Sequence, residues 1–242
     1  PGPSAASRRA ANVVFGMRNY GVALFDEQDP EDAPHDDGEF APPTPESFVQ
    51  TALFFYGAMG CVALVWRMWT PGASILYPGA VPDTPISLVP ALAAGIAVGL
   101  ISLGLSELMT QFTQLGESLA DTLGESLMGI GRAEAILLAL ASGIAEEMFF
   151  RGALQPAVGW FLASLIFGAC HFLPRKELAL WSLYAVGMGG VLGGLYLHTG
   201  HLIAPIAAHV VVNGVNLPRL ARRAEERAAS GAAPGPGSDD DD

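Results

Sequence analysis

Six apolar segments lie between Phe48 and Pro218, and they constrain the fold of this 242-residue chain more than any other feature. A transmembrane helix needs roughly 20 mostly apolar residues, within a range of about 17–25. The segments therefore predict an all-α, polytopic transmembrane helix bundle with six spans, of which the fourth is short. Their approximate bounds are 48–69, 86–109, 133–157, 159–173, 179–197 and 201–217.

Charged residues are scarce and are concentrated outside these segments. Only 15% of the chain is charged, against about 25% in a typical soluble domain, and 51% is hydrophobic. We expect residues 1–47 to form an acidic, disordered cytoplasmic arm, residues 48–218 the bundle, and residues 219–242 a flexible tail that is first basic and then acidic. The net charge of −12 comes mostly from the arm, the tail and the loops, and the 12 basic residues form no continuous stripe. A nucleic-acid partner is therefore not expected.

The distribution of basic residues predicts the orientation of the bundle. With the N-terminus in the cytoplasm, ten of the 12 basic residues fall in cytoplasmic segments, which places the C-terminus in the cytoplasm as well. The other two are Arg67, at the outer end of the first span, and Arg151, within the third. The ten are Arg8, Arg9, Arg18, Arg132, Arg175, Lys176, Arg219, Arg222, Arg223 and Arg227.

Two further patterns concern packing. Residues 111–132 carry three acids and have apolar side chains at helical spacing, which predicts an interfacial helix on the cytoplasmic surface.

In the fifth span, Gly189 and Gly193 are four apart, as are Gly190 and Gly194, a spacing that lets helices approach closely.

The third span contains charged residues at membrane depth, in the stretch GIAEEMFFRGAL. A charge at mid-membrane costs roughly 2.5–3.5 kcal/mol on insertion scales, so these groups must face the bundle interior or a water-filled cavity. Glu147 and Arg151 are four apart and can pair on one helix face, which by itself would explain both residues. Glu146 points about 100° away from Glu147. A second carboxylate near the first, away from water, is suited to act as a general base or acid near neutral pH.

Two other apolar segments bring polar groups to the same depth. His171 ends the short segment FGACHFLP, and His209 and Asn213 share a face of the last span in HVVVN. Each has a structural alternative, because a lone buried histidine is more often a satisfied core residue. His209 and Asn213 could also simply link helices, at about 0.6 kcal/mol for such a hydrogen bond.

Considered together, these groups have what water-mediated hydrolysis requires. A glutamate and a histidine can hold and deprotonate a water, and a second histidine with an amide can donate to an oxyanion. Two other classes of function stay open. Intramembrane Glu and His also relay protons in transporters, although no paired repeat of broken helices is present. A non-catalytic membrane scaffold or immunity protein would keep the same fold.

Three motifs resemble the CPBP intramembrane proteases, which include the type II (Rce1-like) CAAX prenyl endopeptidases and the bacterial Abi proteins. EEMFFR fits Glu-Glu-x-x-x-Arg, FGACH fits Phe-x-x-x-His, and HVVVN fits His-x-x-x-Asn, in the family's order. The resemblance covers about residues 86–218 and implies an intramembrane endopeptidase whose cavity opens towards the cytoplasm. A prokaryotic inner membrane is the expected location.

The resemblance also assigns roles to these residues. It implies that Glu146 and His171 activate water and that His209 and Asn213 form the oxyanion hole. Glu147 would assist or position, and Arg151 would organise the glutamates by charge pairing.

The cofactor and the substrate follow less directly from the resemblance. We expect no cofactor; zinc held by Glu146, His171 and His209 is the alternative, although HExxH is absent from the sequence. The expected partners are the lipid bilayer and a membrane-anchored or transmembrane protein substrate. The six predicted spans are fewer than the eight often found in the family, and nothing in the sequence requires the substrate to be prenylated.

Overall fold

The computed structural model describes residues 44–70, 75, 86–172 and 179–231, and within these ranges the chain is helical and has no β-strand. The acidic arm predicted for residues 1–47 lies outside the described residues up to residue 43. The helices are α1 (Pro45–Met68), α2 (Leu88–Phe112), α3 (Gln114–Glu125), α4 (Arg132–Glu147), a π-helical turn (Met148–Leu154), α5 (Gln155–Val158), α6 (Trp160–Cys170), α7 (Ala179–Thr199) and α8 (Ile203–Ala229).

All six predicted apolar segments fall on helices, and two of these helices, α1 and α2, are long and apolar enough to cross a membrane. Only 11% of the apolar window of α1 and 22% of that of α2 is buried within the protein. A core helix of a soluble protein would be mostly buried, so α1 and α2 are candidate membrane spans. The count of six spans stays a prediction.

Contacts between helix termini define the two ends of the bundle. At one end, Val49 of α1 shares a buried apolar cluster with Leu127 and with Ala221 of α8. At the other end, the Ile86 amide before α2 donates to the Thr199 carbonyl at the end of α7, at 3.1 Å. His201 also contacts the Ile86 carbonyl. The start of α1 and the end of α8 therefore lie at the same end of the helix bundle; the orientation in a membrane stays a prediction.

A π-helical turn interrupts the long helix that carries the glutamates. It follows Glu147 directly and includes Arg151. Pro156, just beyond it, has no N–H group, and its ring would clash with the carbonyl four residues earlier in a regular α-helix. The wider π-helical turn before Pro156 avoids this clash. Single π-helical turns are frequent at functional sites.

The short helix α6 ends within the bundle. Its 11 residues span only about 16 Å, about half the thickness of a bilayer's apolar core, and His171 follows its last residue. Close packing against α7 fixes this helix, because a Cβ atom on Gly168 would lie 3.0 Å from the Val186 Cα atom and closer still to its side chain. A Cβ atom on Gly189 would lie 3.1 Å from the Ser164 carbonyl oxygen, so the close helix approach predicted for the α7 glycines is present.

The C-terminal tail predicted to be flexible from residue 219 is instead helical as far as Ala229, so that prediction was wrong for these residues. Helix α8 passes through Pro218, the last residue of the predicted bundle. The reason is tertiary. Beyond the proline, Arg223 and Arg227 bind the two oxygens of the buried Asp121 carboxylate of α3, at 2.6 and 2.8 Å.

Helix α3 is the described part of the predicted interfacial helix. It is shorter than predicted, and its small residues Gly116, Ala120 and Gly124 face the protein, while Leu115 is 58% exposed. An apolar side chain exposed beside a buried small-residue face suits a helix that rests on the membrane surface. That location remains a prediction.

Candidate active site

The two consecutive glutamates at the end of α4 have separate partners. Glu147 is fully buried, and its Oε1 atom accepts a hydrogen bond from Nη1 of Arg151 at 2.9 Å. The same oxygen lies 2.8 Å from Nδ1 of His209 on α8. The predicted Glu147–Arg151 pair is therefore present, and it is extended by a histidine from a helix 62 residues away in sequence.

Arg151 also joins two further elements of the bundle. Its Nη2 atom donates to the Gly189 carbonyl of α7 at 3.1 Å, and its guanidinium carbon lies 4.4 Å from the centre of the Phe167 ring. The side chain is 2% exposed. A buried guanidinium needs a counter-charge and acceptors, and Glu147, the carbonyl and the ring face supply them. Arg151 thus holds α4, α6 and α7 together around Glu147.

Glu146 faces the other histidine. Its Oε2 atom lies 3.8 Å from Nε2 of His171, is buried, and has no hydrogen-bond partner among the described residues. Nδ1 of His171 lies 2.7 Å from the Phe167 carbonyl, four residues earlier in the same helix. A carbonyl can only accept, so Nδ1 carries a proton, and in the neutral ring Nε2 has the lone pair.

His209 is held in a similar way on the opposite side. Its Nδ1 atom donates to the Glu147 carboxylate, and Nε2 makes no hydrogen bond with the residues that the structure describes. The ring is 9% exposed, against 24% for His171. Both histidines therefore have an oriented ring with Nε2 as the nitrogen available for chemistry.

Asn213 is tied to α4 one turn before the glutamates. Its Nδ2 atom donates to Oγ of Ser142 at 3.0 Å, and Ser142 in turn donates to the Ala139 carbonyl. Among the described residues, the Asn213 amide bonds to Ser142 and makes no hydrogen bond with Glu146, Glu147, His171 or His209. The amide has a second N–H group that this hydrogen bond does not use.

Glu146, His171 and His209 are the alternative zinc ligands predicted from the sequence. A bound metal usually leaves each histidine's other nitrogen hydrogen-bonded to a carbonyl or carboxylate, as in His171 and His209. In the described part of the chain, however, no three His, Cys, Asp or Glu side chains come close enough to hold one ion. As arranged, Glu146, His171 and His209 do not fit a zinc site.

Three residues near the site were missed by the sequence analysis. Phe167 packs on the His171 ring at 4.4 Å between centroids, Ser142 binds Asn213, and Tyr56 of α1 lies near Glu146. Phe167 is part of the quoted motif but received no role. The signal for Tyr56 was available, because it is a hydroxyl-bearing residue in the middle of the apolar stretch LFFYGAMG.

One segment of the chain is similar to a known protein family. Residues 131–215 match the Rce1-like family, described as type II CAAX prenyl endopeptidase Rce1-like. An uncharacterized protein of Bacillus subtilis, YpbD, is 42% identical over 82 residues, which are 33% of this chain and 42% of YpbD. The match thus spans less than half the length of that relative. No solved structure matches the chain.

The family match confirms the resemblance inferred from the three motifs. Residues 131–215 form an Rce1-like segment that runs from the start of α4 into α8 and contains Glu146, His171 and Asn213. The segment is narrower than the predicted 86–218. Helices α1, α2 and α3 lie outside it.

Proposed function

We propose, from the Rce1-like segment at residues 131–215, that this protein is an intramembrane endopeptidase in which Glu146 and His171 activate a water molecule. One observation carries the proposal: the buried Oε2 atom of Glu146 has no partner among the described residues and faces Nε2 of His171 at 3.8 Å. This distance is too long for a direct hydrogen bond. One water hydrogen-bonded to both atoms would satisfy the carboxylate and the imidazole.

In the proposed reaction, the water oxygen attacks the carbonyl carbon of the scissile peptide bond as its proton moves to Glu146. The carbon–nitrogen bond of the tetrahedral intermediate then breaks, and the proton passes to the leaving amine. General acid–base catalysis of this kind contributes roughly 10²–10⁴-fold to the rate.

The negative oxygen that develops on the carbonyl needs hydrogen-bond donors, and we assign these to His209 and Asn213. Nδ1 of His209 already donates to Glu147, so donation from Nε2 as well requires the imidazolium form. The Glu147 carboxylate, 2.8 Å away, stabilises that cation. Asn213 would donate through the N–H group that Ser142 leaves unused. Removing one such donor typically costs about 10²–10³-fold in kcat.

The roles follow a gradient of exposure across the site. Side-chain exposure rises from 0% at Glu147 to 10% at Glu146 and 24% at His171. A substrate therefore reaches Glu146 and His171 first, while Glu147 and Arg151 lie behind them as a positioning pair.

The substrate class follows from where the site lies. Glu146 is about 21 Å from the start of α4 at 1.5 Å per residue, within the apolar part of the bundle. A peptide bond at that depth belongs to a membrane-anchored or transmembrane protein. We place the enzyme in a prokaryotic inner membrane with both termini in the cytoplasm, consistent with the common end shared by the start of α1 and the end of α8.

The test compares protein N-termini in membranes from cells that produce wild type, Glu146→Gln or Glu107→Gln at matched levels. Glu107 is a half-exposed carboxylate of α2 that pairs loosely with Arg219 at 3.7 Å, so its variant controls for loss of a charge. We expect new termini with wild type and Glu107→Gln, and none with Glu146→Gln. Identical termini in all three strains, with each protein folded, would reject proteolysis in favour of a transporter or scaffold.

A further inference from the structure

Two hydrogen bonds between side chains join α4 to α8, and each of them holds a proposed oxyanion donor. Glu147 of α4 accepts from Nδ1 of His209 at 2.8 Å. Ser142 of α4 accepts from Nδ2 of Asn213 at 3.0 Å. The residue numbers of the partners fall along α4 as they rise along α8, so the two helices run antiparallel here. Ser142 therefore stands to Asn213 as Glu147 stands to His209.

Close packing at Gly143 fixes the distance between α4 and α8 beside the Ser142–Asn213 hydrogen bond. A Cβ atom on Gly143 would lie 2.7 Å from Cγ2 of Val210 and 3.2 Å from its backbone nitrogen. Gly143 follows Ser142 directly, and Val210 precedes Asn213 by three residues. Ser142 itself is only 3% exposed. The hydrogen bond thus lies in a closely packed part of the bundle.

The Ser142 hydroxyl determines which end of the Asn213 amide faces α4. Its proton is donated to the Ala139 carbonyl at 3.3 Å, and a carbonyl can only accept. The Ser142 oxygen is therefore left to accept from Asn213, which requires the Nδ2 end of the amide and not the Oδ1 end. The hydrogen bonds run in one direction, from Asn213 through Ser142 to Ala139.

This direction matters for the proposed oxyanion hole, because the two ends of an amide have opposite effects on a developing negative charge. The second N–H of Asn213 Nδ2 can donate to the oxyanion, whereas Oδ1 in its place would repel it. The two ends are nearly the same in shape, so steric packing alone does not distinguish them. Asn213 is half-buried, so a substrate can approach the amide, whereas the Ser142 hydroxyl that orients it is buried.

We propose that Ser142 is a positioning residue, whose hydroxyl holds the Asn213 amide so that one N–H stays available to the oxyanion. This inference rests on the proposed peptidase function. It requires that Ser142 act only through Asn213, so that the loss of the serine hydroxyl has no further effect once the amide is absent.

The test uses the full-length chain, purified in detergent and reconstituted in liposomes. The probe is a protein fragment that spans a cleavage site identified from the wild-type N-termini. The variants are Ser142→Ala, Asn213→Ala and the double variant, with Ser102→Ala as the matched control. Ser102 of α2 is 8% exposed, and its hydroxyl donates to the Val98 carbonyl at 2.9 Å. The control therefore removes a buried serine hydroxyl outside the site.

We expect Ser142→Ala to lower kcat roughly 10-fold with KM within about two-fold of wild type, because the hydroxyl orients a transition-state donor and does not bind substrate. Asn213→Ala should lower kcat roughly 10²–10³-fold, and the double variant should lose no more than that. Ser102→Ala should keep the wild-type kcat. The slow variants are measured in single turnover with excess enzyme, and rates are expressed per folded protein from size-exclusion profiles of the same samples.

Two results would overturn the inference. If Ser142→Ala keeps kcat within about two-fold of Ser102→Ala, the hydroxyl does not orient the amide. If Ser142→Ala lowers kcat by the same factor with and without Asn213, the serine acts through the packing of α4 and not through the amide.

Failure of the proposed function gives a different result. If wild type and Glu146→Gln leave identical N-termini in cells, peptidase function itself is rejected, and the role of Ser142 is rejected with it. If wild type cleaves the probe, Glu146→Gln does not, and Ser142→Ala cleaves at the rate of Ser102→Ala, only the role of Ser142 is rejected.

Discussion

Glu146 and Glu147 are adjacent in sequence, but their carboxylates have no partner in common. Glu147 binds Arg151 and His209 in the fully buried interior, whereas Glu146 faces His171 on the more accessible side. Successive residues of an α-helix point about 100° apart, which separates the two carboxylates. One glutamate is therefore placed to position its neighbours and the other to react.

This separation predicts that conservative substitutions of the two glutamates affect different properties. Glu147→Gln removes the counter-charge of Arg151, which is 2% exposed, and breaking a buried pair in this way costs about 3–5 kcal/mol. Glu146→Gln leaves that pair intact and should keep the unfolding temperature close to wild type while abolishing cleavage. Thermal unfolding in detergent would measure both variants. Equal destabilisation by the two substitutions would contradict the separation.

The contact between α6 and α7 predicts a strong effect of a single methyl group. A Cβ atom added at Gly168 would lie 3.0 Å from the Val186 Cα atom, so Gly168→Ala must push the two helices apart, at about 1–3 kcal/mol. His171 follows three residues later and would move with α6. We expect a lower unfolding temperature and a loss of cleavage.

Gly187 of α7 provides the matched control for this substitution. A Cβ atom there would meet nothing within 4 Å, so Gly187→Ala should be neutral in both assays. A Gly168→Ala variant as stable and active as Gly187→Ala would show that α6 does not need this close approach.

The α3–α8 contact predicts that Asp121 stabilises the end of α8. Asp121 is 5% exposed and binds Arg223 and Arg227, while Glu117 is exposed and lies 3.3 Å from Arg223. The hydrogen bond to Asp121 is the main cause that raises the pKa of Arg223, so this guanidinium stays charged. Asp121→Asn should destabilise the protein by about 1–3 kcal/mol, and Glu117→Gln by less than about 0.5 kcal/mol.

The rate of proteolysis within α8 would show whether Asp121 stabilises the part of this helix beyond Pro218. Trypsin should cut after Arg222 or Arg223 faster in Asp121→Asn than in Glu117→Gln, because the helix beyond Pro218 depends on the buried carboxylate. Equal cutting of the two variants would mean that the helix continues through the proline without this contact.

The arrangement of donors predicts that cleavage does not require a metal. Glu146, His171 and His209 do not converge on one ion position in the described chain. We expect a zinc chelator, with the chelator–zinc complex as the control, to leave the cleavage rate of the purified enzyme unchanged. Inactivation that added zinc reverses would support the His2Glu zinc alternative and require the three side chains to move together.

The helices and the polar residues at membrane depth could be predicted from the sequence because hydropathy and helical spacing are local properties. The six apolar segments all coincide with helices, and Glu147 and Arg151 pair across four residues as their spacing requires. The helical course of residues 219–229 was not predicted: α8 continues through Pro218, and Asp121 of α3, roughly a hundred positions away in sequence, binds it there.

Only the tertiary structure decided which side chains meet across helices. His209 contacts Glu147 and not Glu146, and Asn213 contacts Ser142. These pairs depend on the depth and rotation of each helix, which are set by contacts such as that of Gly168 with Val186. Sequence spacing within one helix determines the face of a residue, but the partner on that face depends on how the helices pack.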